Sequence, residues 1–276
     1  MTTTAPHTLV LGANGKTGSR VARLLADRGL QVRAGSRSAT PSFDWEDRST
    51  WAAAVDGVDA VYISYFPDLA VPTAPEAVEA FARVAADAGV RRAVLLSGRG
   101  EPEAQRSEEL VRAVLPQTTI VRCAWFDQNF SESYFRDMVM AGVLAVPVSD
   151  VREPFVDADD IADVAVAALT DDRHAGQLYE LTGPRMITFA EAVAEVSAAS
   201  GRDAQVVTIG EDEFVAGLEA EGLPRDLVAL IHFLFAEVLD GRNESLTDGV
   251  ERALGRPPRD FSAFARDAAA NGAWSA

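Results

Sequence analysis

Short apolar runs alternate with stretches of helical spacing along the first half of the chain, and no other feature narrows its fold as far. Residues 8–12, 31–35, 59–64, 93–97 and 118–123 read as strands. They are apolar without polar alternation, the pattern of strands buried on both faces. Between them, residues 15–28, 75–88 and 102–114 have the spacing and composition of helices. This rhythm implies right-handed crossovers and a parallel sheet covered on both faces, an α/β class with a doubly wound sheet.

Beyond residue 150 the rhythm changes. One further strand, 177–181, precedes mostly helical sequence up to Trp274. Residues 1–150 therefore read as the sheet domain, and 151–276 as a smaller, mostly helical cap interleaved with the sheet. Within the cap, ITFAEAVAEVSAASGR places Thr188 as an N-cap with Glu191 three residues on, and Gly201 as the helix end. The run VDADDIADVA holds four acids in seven residues. It reads as a helix start, with Asp157 capping and Asp159 and Asp160 favouring the positive end, so no metal site is expected.

With 276 residues, 48% of them hydrophobic, the chain can bury a full core. Cys123 is its sole cysteine, which excludes an intrachain disulfide and any cysteine-rich zinc or iron–sulfur site. A formal charge of −17 repels phosphate backbones, and the basic residues are scattered, so nucleic acid is not an expected partner. No apolar run approaches the roughly 20 residues that span a bilayer, and no basic region followed by an apolar core opens the chain. The expectation is a cytoplasmic protein, monomer or homodimer, that meets a small molecule rather than a membrane.

The stretch LVLGANGKTGSR carries Gly12, Gly15 and Gly18 directly after the first strand and at the start of the first helix. Small residues there let the chain turn tightly, let backbone approach a pyrophosphate and let the helix pack on the strand. The helix N-terminus then offers its N–H groups to phosphate. Asn14, Lys16 and Thr17 complete this candidate loop in a Rossmann-type fold. The spacing is not that of an ATPase phosphate loop. At the end of the second strand, QVRAGSRS has no acid to bind a ribose 2′-hydroxyl. It offers Arg37, flanked by Ser36 and Ser38, whose planar fork suits a 2′-phosphate. NADP(H) is thus favoured over NAD(H).

With these motifs the chain resembles the NmrA-like branch of the atypical short-chain dehydrogenase/reductases over nearly its whole length. GANGKTGSRVARLL, GVDAVYIS, LLSGRG, VRCAWFDQNF, REPFVDADDIADVAVAAL, LYELTGPRMITFAEAVAEVS and LGRPPRDFSAFARDAA carry the likeness. It is similar to bacterial NADPH-dependent quinone or azo reductases of that branch. The resemblance implies that Asp44 and Trp45, after a short third strand at Phe43, contact adenine. It implies that Ser64, Tyr65 and Phe66 flank the ribose and nicotinamide side, and that Ser97 and Gly98 face the nicotinamide ribose. Trp125, Phe126 and Asn129 would form the pocket wall.

One departure bears on mechanism. Short-chain dehydrogenases generally use Tyr-x-x-x-Lys, in which an ammonium lowers the phenol pKa. None of Tyr62, Tyr65, Tyr134 and Tyr179 has a lysine four residues on, because Lys16 is the only lysine in the chain. Where the helix of that dyad would start, SGRGEPEAQRSEELVRAV offers acids and arginines. The remaining candidates for polar assistance are Ser97, Arg99, Tyr65, Asn129 and His232. Ser97 equally suits a strand end that caps a turn. His232 lies in LVALIHFLFA, which reads as a buried helix or a lid over an apolar pocket, where a core histidine is the plain alternative. Phe233 and Phe235 suit an aromatic pocket wall.

The functional expectation is an NADPH-dependent oxidoreductase that transfers hydride to a small, largely apolar quinone, azo, carbonyl or activated alkene acceptor. Two alternatives stay open: an NADP(H)-binding redox sensor without catalysis, and an isomerase or other tailoring enzyme of a biosynthetic pathway.

Overall fold

The computed structural model describes residues 7–148 and 150–275. Residues 1–6, most of the stretch read for a leader, lie outside them. In chain order the first half runs β1 (His7–Leu11), α1 (Lys16–Asp27), β2 (Gln31–Gly35), α2 (Trp51–Val55), β3 (Ala60–Ile63), α3 (Ala74–Asp87), β4 (Arg92–Gly98), α4 (Pro102–Val114) and β5 (Thr119–Cys123). There follow α5 (Tyr134–Met140), β6 (Val143–Val146), α6 (Ala158–Thr170), β7 (Leu178–Leu181), α7 (Phe189–Ser200) and β8 (Gln205–Thr208). The chain closes with α8 (Glu211–Ala220), α9 (Arg225–Phe233), α10 (Gly249–Leu254) and α11 (Phe261–Ala270).

These elements form two compact units. The sheet unit comprises the chain up to Cys123 with Ala158–Leu181 and Asp248–Arg256, and the aromatic unit comprises Ala124–Asp157, Thr182–Thr247 and the chain from Pro257.

In the sheet unit six parallel strands lie in the order β2-β1-β3-β4-β5-β7. Leu9, Leu11, Val61, Ile63 and Leu95 turn one face onto Val78 and Phe81 of α3 and Val111 of α4, all buried. Helix α1 packs on α6. β2 lies on one side of β1 and β3 on the other, so the winding reverses at β1. Such a reversal leaves a crevice outside the carboxyl ends of the strands, where ligands of open parallel sheets sit. The acids of the 157–163 run lie beside side chains that meet them: Arg20 Nε donates to Asp159 at 2.9 Å, and Arg256 reaches Asp160 at 2.8 Å and Asp163 at 2.7 Å.

The aromatic unit is cored by rings. Phe130, Phe135, Phe155, Phe189, Phe214, Phe235, Phe261 and Phe264 are buried there with Trp274. Phe235 is fully buried, its ring centroid 5.2 Å from that of Trp125 and 4.9 Å from that of Phe214. Helix α7 starts and stops where its caps say it should. Thr188 and Glu191 exchange both bonds of a capping box, and Gly201 ends the helix at φ +73°.

Three local expectations are corrected. No strand forms at Phe43: its N–H is satisfied within the loop by Ser36 O at 2.9 Å, and its ring is buried against Trp45, Trp51 and Phe81. The second half is not helical apart from one strand, because β6 and β8 pair as a two-stranded parallel sheet. Both have four residues, and β8 is largely exposed, so neither shows the continuous apolar signature of a central strand. The apolar segment 227–236 is not one regular helix, since α9 gives way at Leu234 to a π-helical turn, Leu234–Val238.

Candidate functional site

The loop after β1 is shaped by glycine. Gly12 adopts φ +64°, and Gly15 N–H donates to Gly12 O at 2.8 Å. A Cβ on Gly18 would fall inside contact distance of Gly12 O, and one on Gly15 would lie 3.3 Å from the same oxygen. Gly18 therefore admits no side chain without a shift of the loop backbone, and Gly15 admits one only if that backbone gives by a few tenths of an ångström. Gly15 is the N-cap of α1 and makes no side-chain cap bond, and the first turn holds no acid. The backbone N–H groups of that turn stand at the head of a strand–turn–helix cradle, an arrangement that suits an anion. Thr17 is buried in it, and Ser64 closes on it, since a Cβ on Gly12 would lie 3.3 Å from the Ser64 Cβ and Oγ.

At the end of β2, Ser36 O accepts the N–H groups of Ala39 and Phe43, which turns the chain back on itself. Ser36 Oγ and Ser38 Oγ lie 3.3 Å apart. Arg37 is exposed on this turn and forms no ion pair with another described residue. Asp44 shapes the next loop: its carboxylate accepts Glu46 N–H at 3.1 Å and its carbonyl accepts the Trp51 indole N–H at 2.7 Å. Trp45 donates its indole N–H to Ser64 O at 3.1 Å and lies 4.9 Å from Tyr65, so it braces the end of β3. Phe66, by contrast, is 71% exposed.

At the end of β4 the Ser97 hydroxyl donates to Glu108 Oε1 at 2.6 Å. Arg122 clamps both oxygens of Glu108, at 2.9 and 2.6 Å, and reaches Glu180, which also takes Arg99 at 2.7 Å. The Glu108 hydrogen bond raises the Arg122 pKa. Ser97 and Arg99 are thus held in a buried ion network that fixes the strand end. Tyr62, wholly buried on β3, has its phenol pushed up by burial and is no acid at neutral pH.

Sequence reasoning passed over Asp68 and Glu101. Both stand just beyond central strands, in YFPD and SGRGE, and that placement was the available signal. Glu101 is the N-cap of α4 and makes no cap bond; its carboxyl lies where a Cβ on Gly98 would be.

In the aromatic unit, Trp125 donates its N–H to Glu153 at 3.2 Å, and its ring stacks 6.3 Å from Phe135. Phe126 pairs with Val156, and Asn129 N–H bonds Phe126 O at 3.0 Å, so these three residues form one rigid turn. His232 is half-exposed on α9 and meets Glu211 at 3.3 Å, while Phe233 is half-buried. The structure sets Trp125 against Phe235 and turns His232 to the N-terminus of α8.

The NmrA-like family model matches residues 5–247. The chain belongs to the NmrA-like family. It is 31% identical to the NAD(P)H azoreductase of Xenophilus azovorans over 95% of this chain and 98% of that one. It is 33% identical to the (4-alkanoyl-5-oxo-2,5-dihydrofuran-3-yl)methyl phosphate reductase of Streptomyces griseus over 92% and 94% of the two chains. The NADPH-dependent quinone oxidoreductase QOR2 of Escherichia coli, solved with NADPH, superposes with a TM-score of 0.75 at 20% identity, covering 95% of this chain and 99% of that one. Among the described residues no helix of this member is long and apolar enough to cross a membrane.

Proposed function

We propose that this chain is an NADPH-dependent reductase of small, largely apolar acceptors: quinone, azo, carbonyl or activated alkene compounds. The observation that carries the reading is the side-chain-free cradle of Gly12, Gly15 and Gly18 at an uncapped helix N-terminus. The names of its reductase relatives support the same reading.

Gly12, Asn14, Gly15, Lys16, Thr17 and Gly18 would hold the pyrophosphate, and Ser36 and Arg37 the 2′-phosphate. Asp44 and Trp45 would border the adenine, and Ser64, Tyr65, Phe66 and Gly98 the riboses. Bound there, the reduced nicotinamide supplies a hydride. The residues of this chain supply position and a dry wall, which suffices where an electron-poor acceptor needs little proton assistance. Ser97 acts by holding the end of β4 through Glu108. Trp125, Phe126 and Phe233 would face the acceptor, with Tyr65, Asn129 and His232 as polar contacts.

NADPH and NADH oxidation measured across a panel of such acceptors tests the reading, with NADPH the better donor. Tight NADPH binding with no turnover on any acceptor would overturn it and turn the protein into a sensor.

A further inference from the structure

Two buried glutamates lie on α4, and their surroundings are opposite. Glu108 is met by Ser97 and Arg122. Glu101 is 8% exposed, its Oε2 receives no donor from the described protein, and its neighbour is the half-buried carboxyl of Asp68 from the loop after β3. Two carboxyls buried side by side with no cation between them are stable together only when one carries a proton. The absence of a Cβ at Gly98 lets the Glu101 carboxyl lie against the end of β4, at the carboxyl ends of the strands next to the crevice described above.

We propose that Asp68 and Glu101 hold one proton between them and deliver it to the acceptor atom left anionic by hydride transfer. The proposal rests on the reductase reading and supplies the proton donor that the missing Tyr-x-x-x-Lys leaves open. For a quinone the balance is complete. The acceptor gains two electrons and a hydrogen as hydride from the reduced nicotinamide, which is oxidised, giving the hydroquinone monoanion. The O–H bond of the pair then breaks, a new O–H forms on the product, and water returns a proton to the pair. Two adjacent buried carboxylates repel, which drives that return.

Burial, the charge of Asp68 and the charge of Glu108 push the Glu101 carboxyl well above the usual range, and burial raises Asp68 as well. Cys123 on β5 is a further titratable neighbour, and its thiol is itself pushed up by burial and by Glu101. Asp68, Glu108 and Cys123 are all acids, so each of them favours retention of the proton by the pair.

Infrared difference spectra of the unliganded protein at pH 7 should show a protonated carboxyl band that disappears in both E101Q and D68N. With NADPH and a quinone, the wild-type kcat should fall as pH rises and show a solvent isotope effect. Each variant should lose about 100-fold in kcat and lose the pH dependence, with the NADPH Kd unchanged. No carboxyl band in the wild type overturns the shared proton. An active wild type with variants of unaltered kcat and pH profile overturns the donor role alone. No turnover by the wild type, with the band present, overturns the reductase reading and takes the donor role with it.

Discussion

The two units fill their interiors by different means. The sheet unit packs Val, Leu, Ile and Ala between strands and helices and gathers its polar chemistry at the carboxyl ends of the strands. The aromatic unit is filled by interlocked phenylalanine rings from segments far apart in the chain. The difference separates two kinds of dependence. The proposed nucleotide binding in the sheet unit depends on backbone shape, where one added carbon matters. Stability in the aromatic unit depends on a few large side chains, each of which removes much apolar area from water.

The largest expected effect is on that ring core. Phe235→Ala should cost about 3–5 kcal/mol in denaturant unfolding and leave the NADPH affinity of the folded protein unchanged; a large loss of affinity would break the distinction. Gly18→Ala should do the reverse. Its Cβ would collide with Gly12 O, so NADPH binding, followed by fluorescence, should weaken at least ~100-fold, about 2.7 kcal/mol, with the circular dichroism spectrum retained. Arg37→Ala should weaken NADPH about 10-fold, near 1.4 kcal/mol, and leave NADH unchanged. Equal losses for both nucleotides would remove the 2′-phosphate from its role.

The smallest effect lies in the aromatic unit and depends on pH. The hydrogen bond from Arg185 to Asp260, at 2.7 Å, holds the Asp260 carboxyl well below the usual range. A depressed carboxyl adds stability that is complete above its unfolded value, about 3.9, and is lost as pH falls toward its folded value. Between pH 5 and pH 2 the Tm of the wild type should therefore fall more steeply than that of Asp260→Asn. Parallel curves would remove the pair from the acid response.

What the sequence discloses follows the same division. Strands buried on both faces are apolar, so β1, β3, β4 and β5 stand within a residue or two of their expected places, and the edge strands β2 and β7 do so through the alternation with helices alone. The box at Thr188 and Glu191 and the stop at Gly201 were equally plain, because caps are local chemistry. The pairing of β6 with β8 was not legible, since Gln205 and Thr208 at the ends of β8 are exposed and the strand carries little pattern. The setting of Trp125 against Phe235 was hidden because it depends on a tertiary contact between distant segments. The glycine loop could be read directly, whereas the commitment of Ser97 to Glu108 and the meeting of Asp68 with Glu101 each join residues from separate loops and helices.

The chain passes between the units after Cys123, Asp157, Leu181, Thr247 and Arg256. The sheet unit thus lacks a part until residues 248–256 are made: α10, where a Cβ on Gly249 would strike the Glu180 carbonyl, and Arg256, which reaches Asp160. Domains are generally completed from the N-terminus during synthesis, but here that schedule is unavailable. The glycine loop after β1 thus leaves the ribosome more than 200 residues before the unit around it is finished. For the same reason, grafting the aromatic unit of a relative onto this sheet would require three separate segments and five junctions.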